Sequence, residues 1–294
     1  MKTKLFHLLY FAFACLLLSS CGAEESSVTG WSYNDPSNGG FEVVDYIEME
    51  TGPGLILIEG GRLEMGGHEQ EIQLDWDNMQ KTTTVPSFYM DETEIANIHY
   101  LEYLYWIQRV FWADYPEVYN NAMVDTLVWR KDGAFNEPYV ELYLRHPAYH
   151  FYPVVGVSWV QAMDFCRWRT DRVNEMILIR EGVLRINPDQ YNEDNFNTDA
   201  YLYQQYEGLV RSDLIDLNPN RDTRKVRLED GIILPRYRLP TEAEWEFAAL
   251  GLLGNLIPGS ELRKDSRVYP WNGHTLRNYE EKVRGNFMAN FVRE

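Results

Sequence analysis

Apolar residues recur at helical spacing in three stretches of this chain and run together in one. Leu55-Ile56-Leu57-Ile58 is a continuous apolar run, which predicts a buried strand. Ile98, Leu101, Leu104, Tyr105 and Trp112 form a broad stripe, so a helix is expected from an Asn97 cap to about Val110. Ala162, Phe165, Cys166, Val173, Met176 and Ile177 keep helical spacing as far as Gly182, behind a Ser158-x-x-Gln161 capping box. In a third helix Ala243 and Phe247 share one face at i, i+4, with Ala248 beside them. Thr241 is its N-cap, Glu244 completes a second capping box, and Gly251 is the stop. Glu242, Glu244 and Glu246 place negative charge at the positive end of its dipole. On spacing alone this is a well-capped surface helix. Residues 113–152 are expected to be irregular, punctuated by Pro116, Pro138, Pro147 and Pro153.

The N-terminus reads as an address. Lys2 and Lys4 precede an apolar run from Leu5 to Leu18, which is short for a bilayer span and right for a signal sequence. Leu18-Ser19-Ser20-Cys21 matches a bacterial lipobox, so residues 1–20 are expected to leave and Cys21 to carry lipid. Membrane contact would then run through that N-terminal anchor. Residues 21–53 read as a tether, small and acidic at first and turn-rich from Ser32 to Gly40; Trp31, Tyr33 and Phe41 are too apolar for a pure linker and should pack on the domain. The domain itself is expected over 54–294.

Charge narrows the partners. Without Lys2 and Lys4, 25 basic residues face 45 acidic ones, a net charge near −20. Such a surface argues against nucleic acid and against binding anionic lipid through the protein body. Of three cysteines, Cys15 leaves with the signal and Cys21 is lipidated, so only Cys166 remains and no intramolecular disulfide can form. Cys166, between Phe165 and Trp168, reads as a small buried hydrophobe rather than a reactive thiol. His146 and His150 have metal-like spacing, but Pro147 breaks the helix that would align them, so they read as structural.

Arg238-Leu239-Pro240-Thr241-Glu242-Ala243-Glu244-Trp245-Glu246-Phe247-Ala248-Ala249 resembles the signature of the formylglycine-generating-enzyme (sulfatase-modifying factor) family. Leu63-Glu64-Met65-Gly66, Phe88 to Asn97 and Pro153 to Trp168 are similar to three further family segments, in the family's order. The resemblance implies an α+β, formylglycine-generating-enzyme-like (C-type-lectin-related) irregular fold. In the enzymes the signature follows the central helix almost at once; here Arg169 to Pro235 intervene, 67 residues. That insert, 169–235, is too long for a plain connection and is expected to be a folded excursion or a partner-binding arm. Long inserts there mark the gliding-motility and type IX secretion lipoproteins of Bacteroidetes-type bacteria. Thr29-Gly30-Trp31, Asn38-Gly39-Gly40-Phe41, Asp125 to Arg130, Tyr143 to Tyr149 and Trp168 to Glu175 resemble those lipoproteins.

Tyr269-Pro270-Trp271-Asn272-Gly273 and Ala289-Asn290-Phe291 are similar to late family segments. The second implies half of a calcium site, with Asn290 giving a side-chain oxygen and Phe291 a carbonyl. The family's remaining calcium ligands and its copper-binding cysteine pair come later, so the domain is expected to be truncated at its C-terminus. Two functions follow from the resemblance. One is a non-catalytic outer-membrane lipoprotein of the cell envelope, on the periplasmic face or cell surface, with other gliding and type IX secretion proteins as partners. The alternative is a formylglycine-type metal-dependent oxidase whose catalytic half is missing. No catalytic residue is expected in the visible chain.

Overall fold

The computed structural model describes residues 24–65, 81–211, 213–251, 269–271, 275–280 and 282–289. In chain order the elements are β1 (Leu55–Ile58), β2 (Gly61–Met65), β3 (Lys81–Val85), β4 (Phe88–Asp91), α1 (Asn97–Phe111), α2 (Pro116–Ala122), α3 (Glu137–Leu142), α4 (Trp159–Arg180), α5 (Thr198–Leu202), β5 (Leu214–Ile215), β6 (Thr223–Arg224) and α6 (Glu242–Leu250). Short 3-10 turns lie between them. The strands pair only as antiparallel couples, β1 with β4, β2 with β3 and β5 with β6. Helices with small antiparallel ladders make an α+β chain, as the sequence predicts. Among the described residues no helix is long and apolar enough to cross a membrane.

The chain divides into two units. The first holds Met1–Glu50, Glu102–Met123 and Asp164–Tyr237. Its main core joins Leu178, Val183, Leu184, Phe196, Tyr201, Val226 and Ile233. Phe196, Tyr201 and Tyr206 contact one another ring to ring at 5.2–6.3 Å between centroids. Within the tyrosine-rich segment of the long insert Tyr201 and Tyr206 turn inward while Tyr191 and Tyr203 stay exposed: a tyrosine has the apolar area for a core and needs only a partner for its hydroxyl. Tyr201 has that partner, since the Val226 amide donates to its oxygen at 3.2 Å. Asn174 on α4 is fully buried, and its amide pairs with both backbone groups of Leu234, at 2.9 and 3.1 Å, as a strand residue would. The first part of the insert, Arg169–Arg180, simply continues α4.

The second unit holds Thr51–Leu101, Val124–Met163 and Arg238–Glu294. Leu63, Met65 and Val85 from the β2–β3 ladder pack with Phe247 of α6, and Ile58, Phe88, Ala243 and Leu250 border them. Ala243 and Phe247 thus share a face as expected, but Phe247 is 1% exposed, so α6 is built into a core rather than lying on a surface. β1 forms where the apolar run predicts it but is not buried. Ile56 and Leu57, which point to opposite faces of the β1–β4 ladder, are 44% and 55% exposed.

Other expectations shift by a few residues. α1 buries Tyr100, Tyr103, Leu104, Ile107 and Val110, an i, i+3, i+4, i+7 stripe, while Tyr105 and Trp112 face solvent. Asn97 is the first residue of α1 rather than its cap, and its amide donates to the Tyr143 and Tyr149 carbonyls at 3.1 and 2.9 Å. The stretch 113–152 is not irregular. Pro116, Pro138 and Pro147 each lie in the first turn of a short helix, where a missing N–H costs nothing. The Ser158 and Gln161 capping box closes as predicted, at 2.8 and 3.3 Å.

Candidate functional site

The signature segment is a set of interlocking hydrogen bonds around one carboxylate. Thr241 has extended backbone, and its hydroxyl accepts the Glu244 amide at 3.3 Å. The Glu244 carboxylate reaches back to the Thr241 amide at 2.8 Å and accepts its hydroxyl at 3.0 Å. Arg238, six residues upstream, donates from both guanidinium nitrogens to the two oxygens of Glu244, each at 2.7 Å. Four hydrogen bonds converge on a side chain that is 8% exposed. The Arg238 fork, with the Thr241 donors, holds Glu244 down from 4.5 to about 2, outweighing the upward push of burial. Gly251 ends the helix in the left-handed region, φ 70°, where a Cβ would be strained. Arg238 stands in the sequence motif, but its role comes only from this geometry.

The other predicted site residues lie apart from it. His146 caps a turn: its Nδ1 accepts the Ala148 amide at 3.1 Å. The His150 carbonyl receives the Ile98 amide at 2.9 Å. Cys166 is half-buried, not buried, in the middle of α4. Among the described residues no three His, Cys, Asp or Glu side chains come together to hold a metal. A two-thiolate copper centre does not fit those residues, whose one cysteine is Cys166. The signal sequence, Cys21, and Asn290 and Phe291 lie outside the described residues.

A second charged cluster has no counterpart in the sequence reading. Arg224 is 4% exposed and grips two carboxylates. It donates to Glu42 at 2.9 and 2.6 Å and to Asp230 at 2.8 and 2.8 Å. Arg227 adds a longer contact to Glu42 at 3.5 Å. Burial pushes the Asp230 carboxyl up, but the Arg224 and Arg227 donors prevail and leave it below its ordinary value. The cluster fastens residues 24–50 to the rest of the first unit. Arg180 adds a bond to Glu50 at 2.8 Å, and the Gly40 backbone meets Leu217 so closely that a Cβ would stand 2.0 Å from its carbonyl oxygen. The predicted packing of this segment is real, but charges and a glycine make it; Trp31 and Phe41 are 61% and 67% exposed. No local signal could have paired Glu42 with an arginine 182 residues away.

This assembly of short ladders and capped helices, with the signature folded around Arg238 and Glu244, belongs to a recognised class. Residues 40–293 match the sulfatase-modifying factor enzyme 1-like domain, and the chain belongs to that family. Among curated proteins it is similar to the serine/threonine-protein kinase Pkn1 of Chlamydia trachomatis serovar L2, at 27% identity over 117 residues. That match covers 39% of this chain and only 16% of the kinase. No solved structure matches the chain.

Proposed function

We propose that the chain is a non-catalytic scaffold, an outer-membrane-associated lipoprotein of the bacterial gliding-motility and type IX secretion machinery that works through protein contacts. The particular protein it resembles is gliding-motility lipoprotein J, whose likeness spans nearly the whole chain after Cys21; the sibling lipoprotein K shares the Phe88–Glu94 segment. The anchor would be a lipid on Cys21, and Asn290 and Phe291 would supply two oxygens to a calcium ion.

One observation carries the non-catalytic part. The buried acid of the signature, Glu244, is held ionised at about pH 2 and spends both oxygens on Arg238 and Thr241. A general acid or base needs a proton affinity near the working pH, and Glu244 lacks it. A second reading, a formylglycine-type metal-dependent oxidase, is favoured by the family match over 40–293.

The two separate in one assay. The purified full chain is incubated with copper and a cysteine-containing sulfatase-type peptide, and the peptide is weighed by mass spectrometry. No cysteine-to-formylglycine conversion is expected. Conversion above a copper-only control would overturn the scaffold reading. Anchoring is checked by Cys21→Ser, which should abolish acyl labelling and detergent-phase partitioning.

A further inference from the structure

A cleft of about 380 Å³ opens in the first unit beside residues 38–42, lined among others by Phe41, Glu42, Asp216, Asn218, Arg221 and Arg227. That volume is within the range of small-ligand sites. We infer that this cleft binds a small organic anion, held through a carboxylate or phosphate group by Arg221 and Arg227.

The inference comes from counting which hydrogen-bonding groups remain open. The acceptors are largely used. Both Glu42 oxygens take donors from Arg224. Asp216 Oδ1 accepts the Asn218 amide at 2.9 Å, and Asn218 Oδ1 accepts the Asn220 amide at 3.0 Å. Asn38 already donates from its side-chain amide to the Ser32 carbonyl at 2.8 Å. The two arginine donors are largely open. The Arg221 guanidinium has no ion pair among the described residues, and Arg227 has only the 3.5 Å contact to Glu42. Two planar forks therefore face the cleft, where Arg224 already neutralises Glu42 and Asp216 is the one lining carboxylate without a cation among the described residues. A guanidinium fork matches the two oxygens of a carboxylate or phosphate, and such charge-assisted bonds are about twice as strong as neutral ones.

The surroundings select a small organic ion. The whole chain carries a net charge of −18, so long-range attraction works against anions and the affinity must be local. The half-exposed Arg227 and exposed Arg221 supply it at contact range. The Phe41 ring at the cleft wall offers an apolar face to a carbon skeleton, which a bare ion would not use. The wall is also fixed in advance. Gly40, with φ 67°, brings its backbone against Leu217, so little order need be gained on binding.

The test is calorimetric titration of the purified full chain with inorganic phosphate, phenyl phosphate and succinate. Saturable binding is expected, strongest for a probe that combines a ring or carbon skeleton with the anion, and weakened by added salt. In the double variant Arg221→Gln, Arg227→Gln affinity should fall about tenfold or more, and in Arg221→Gln alone it should fall while the thermal midpoint without ligand stays put. Binding of the phosphates alone would assign the site to phosphoryl groups, and of succinate alone to carboxylates. Should the double variant fold poorly, Arg221→Gln alone serves, because its side chain has no ion pair to lose. Absence of saturable binding for all three probes, or unchanged affinity in the variants, would overturn the assignment.

Discussion

Arg238 and Arg224 each grip a carboxylate with two nitrogens, but over very different spans of chain. Arg238 reaches Glu244 six residues along, and its side chain is 54% exposed. Arg224 reaches Glu42 across 182 residues and Asp230 across six, and it is 4% exposed. The first pair can form as soon as the helix start forms. The second must close a long loop, whose entropy only the finished fold can offset. Burial then changes what the pair means. A half-solvated arginine that loses its partner turns to water; a buried carboxylate that loses its arginine cannot. The same chemistry thus makes a local brace in one unit and a tertiary clamp in the other.

The largest effect expected from this difference follows Arg224→Met. Glu42 and Asp230 would be left without their donor, and breaking a buried pair from one side costs about 3–5 kcal/mol. Urea unfolding should show that loss, and residues 24–50 should become sensitive to protease. A cost below about 1 kcal/mol would mean that the carboxylates reach water and that the cluster is no clamp.

Glu244→Gln should cost less, about 1.5–3 kcal/mol, as expected for a hydrogen bond to a charged group. The pH dependence gives the sharper reading. Glu244 stands at about 2 in the fold against an ordinary 4.5. A lowered carboxylate contributes stability that is whole above pH 4.5 and is lost as pH falls towards 2. The shift is worth at most about 3 kcal/mol, and the solvent around Arg238 reduces it to about 2. Wild type should lose that share between pH 4.5 and 2, and Glu244→Gln should not. Parallel pH profiles would show that the brace contributes nothing.

What could be read from the sequence follows the same division by span. The Thr241–Glu244 and Ser158–Gln161 boxes, the Gly251 stop and the length of α4 are set by neighbours within four residues, and the structure has them where the spacing put them. Several α1 tyrosines compete for the stripe, and spacing alone picks Tyr105, which is exposed, over Tyr100 and Tyr103, which each bury a full ring. The insert hid its core because Tyr201 and Tyr206 look polar by composition and pack like phenylalanines once the hydroxyl is satisfied or solvated. The prolines of 113–152 punctuate the sequence as breaks would, because proline interrupts a helix it falls within, whereas Pro116 and Pro138 open one. The Glu42–Arg224–Asp230 cluster and the cleft beside it depend on contacts across most of the chain, and periodicity carries no trace of them.

The smallest effect probes how much of the brace belongs to the helix cap. In Thr241→Ala the Glu244 amide loses the hydroxyl at 3.3 Å, and the Glu244 carboxylate loses one of four donors. Removing a threonine cap costs about 1 kcal/mol in a typical helix. Here the loss should fall at or below that figure, because the cap contact is long and Arg238 still holds both Glu244 oxygens. Thr241→Ser keeps the hydroxyl and should stay within about 0.5 kcal/mol of wild type. Thr241→Ala and Glu244→Gln both act on the one bond between the two side chains, so their costs should fall short of additive by about 0.5 kcal/mol or more in a double-mutant cycle. Strict additivity would mean that Thr241 and Glu244 act on the helix independently. The brace would then be an arginine–carboxylate pair that happens to sit at a capped end, and the capping box would add no cooperativity to the signature.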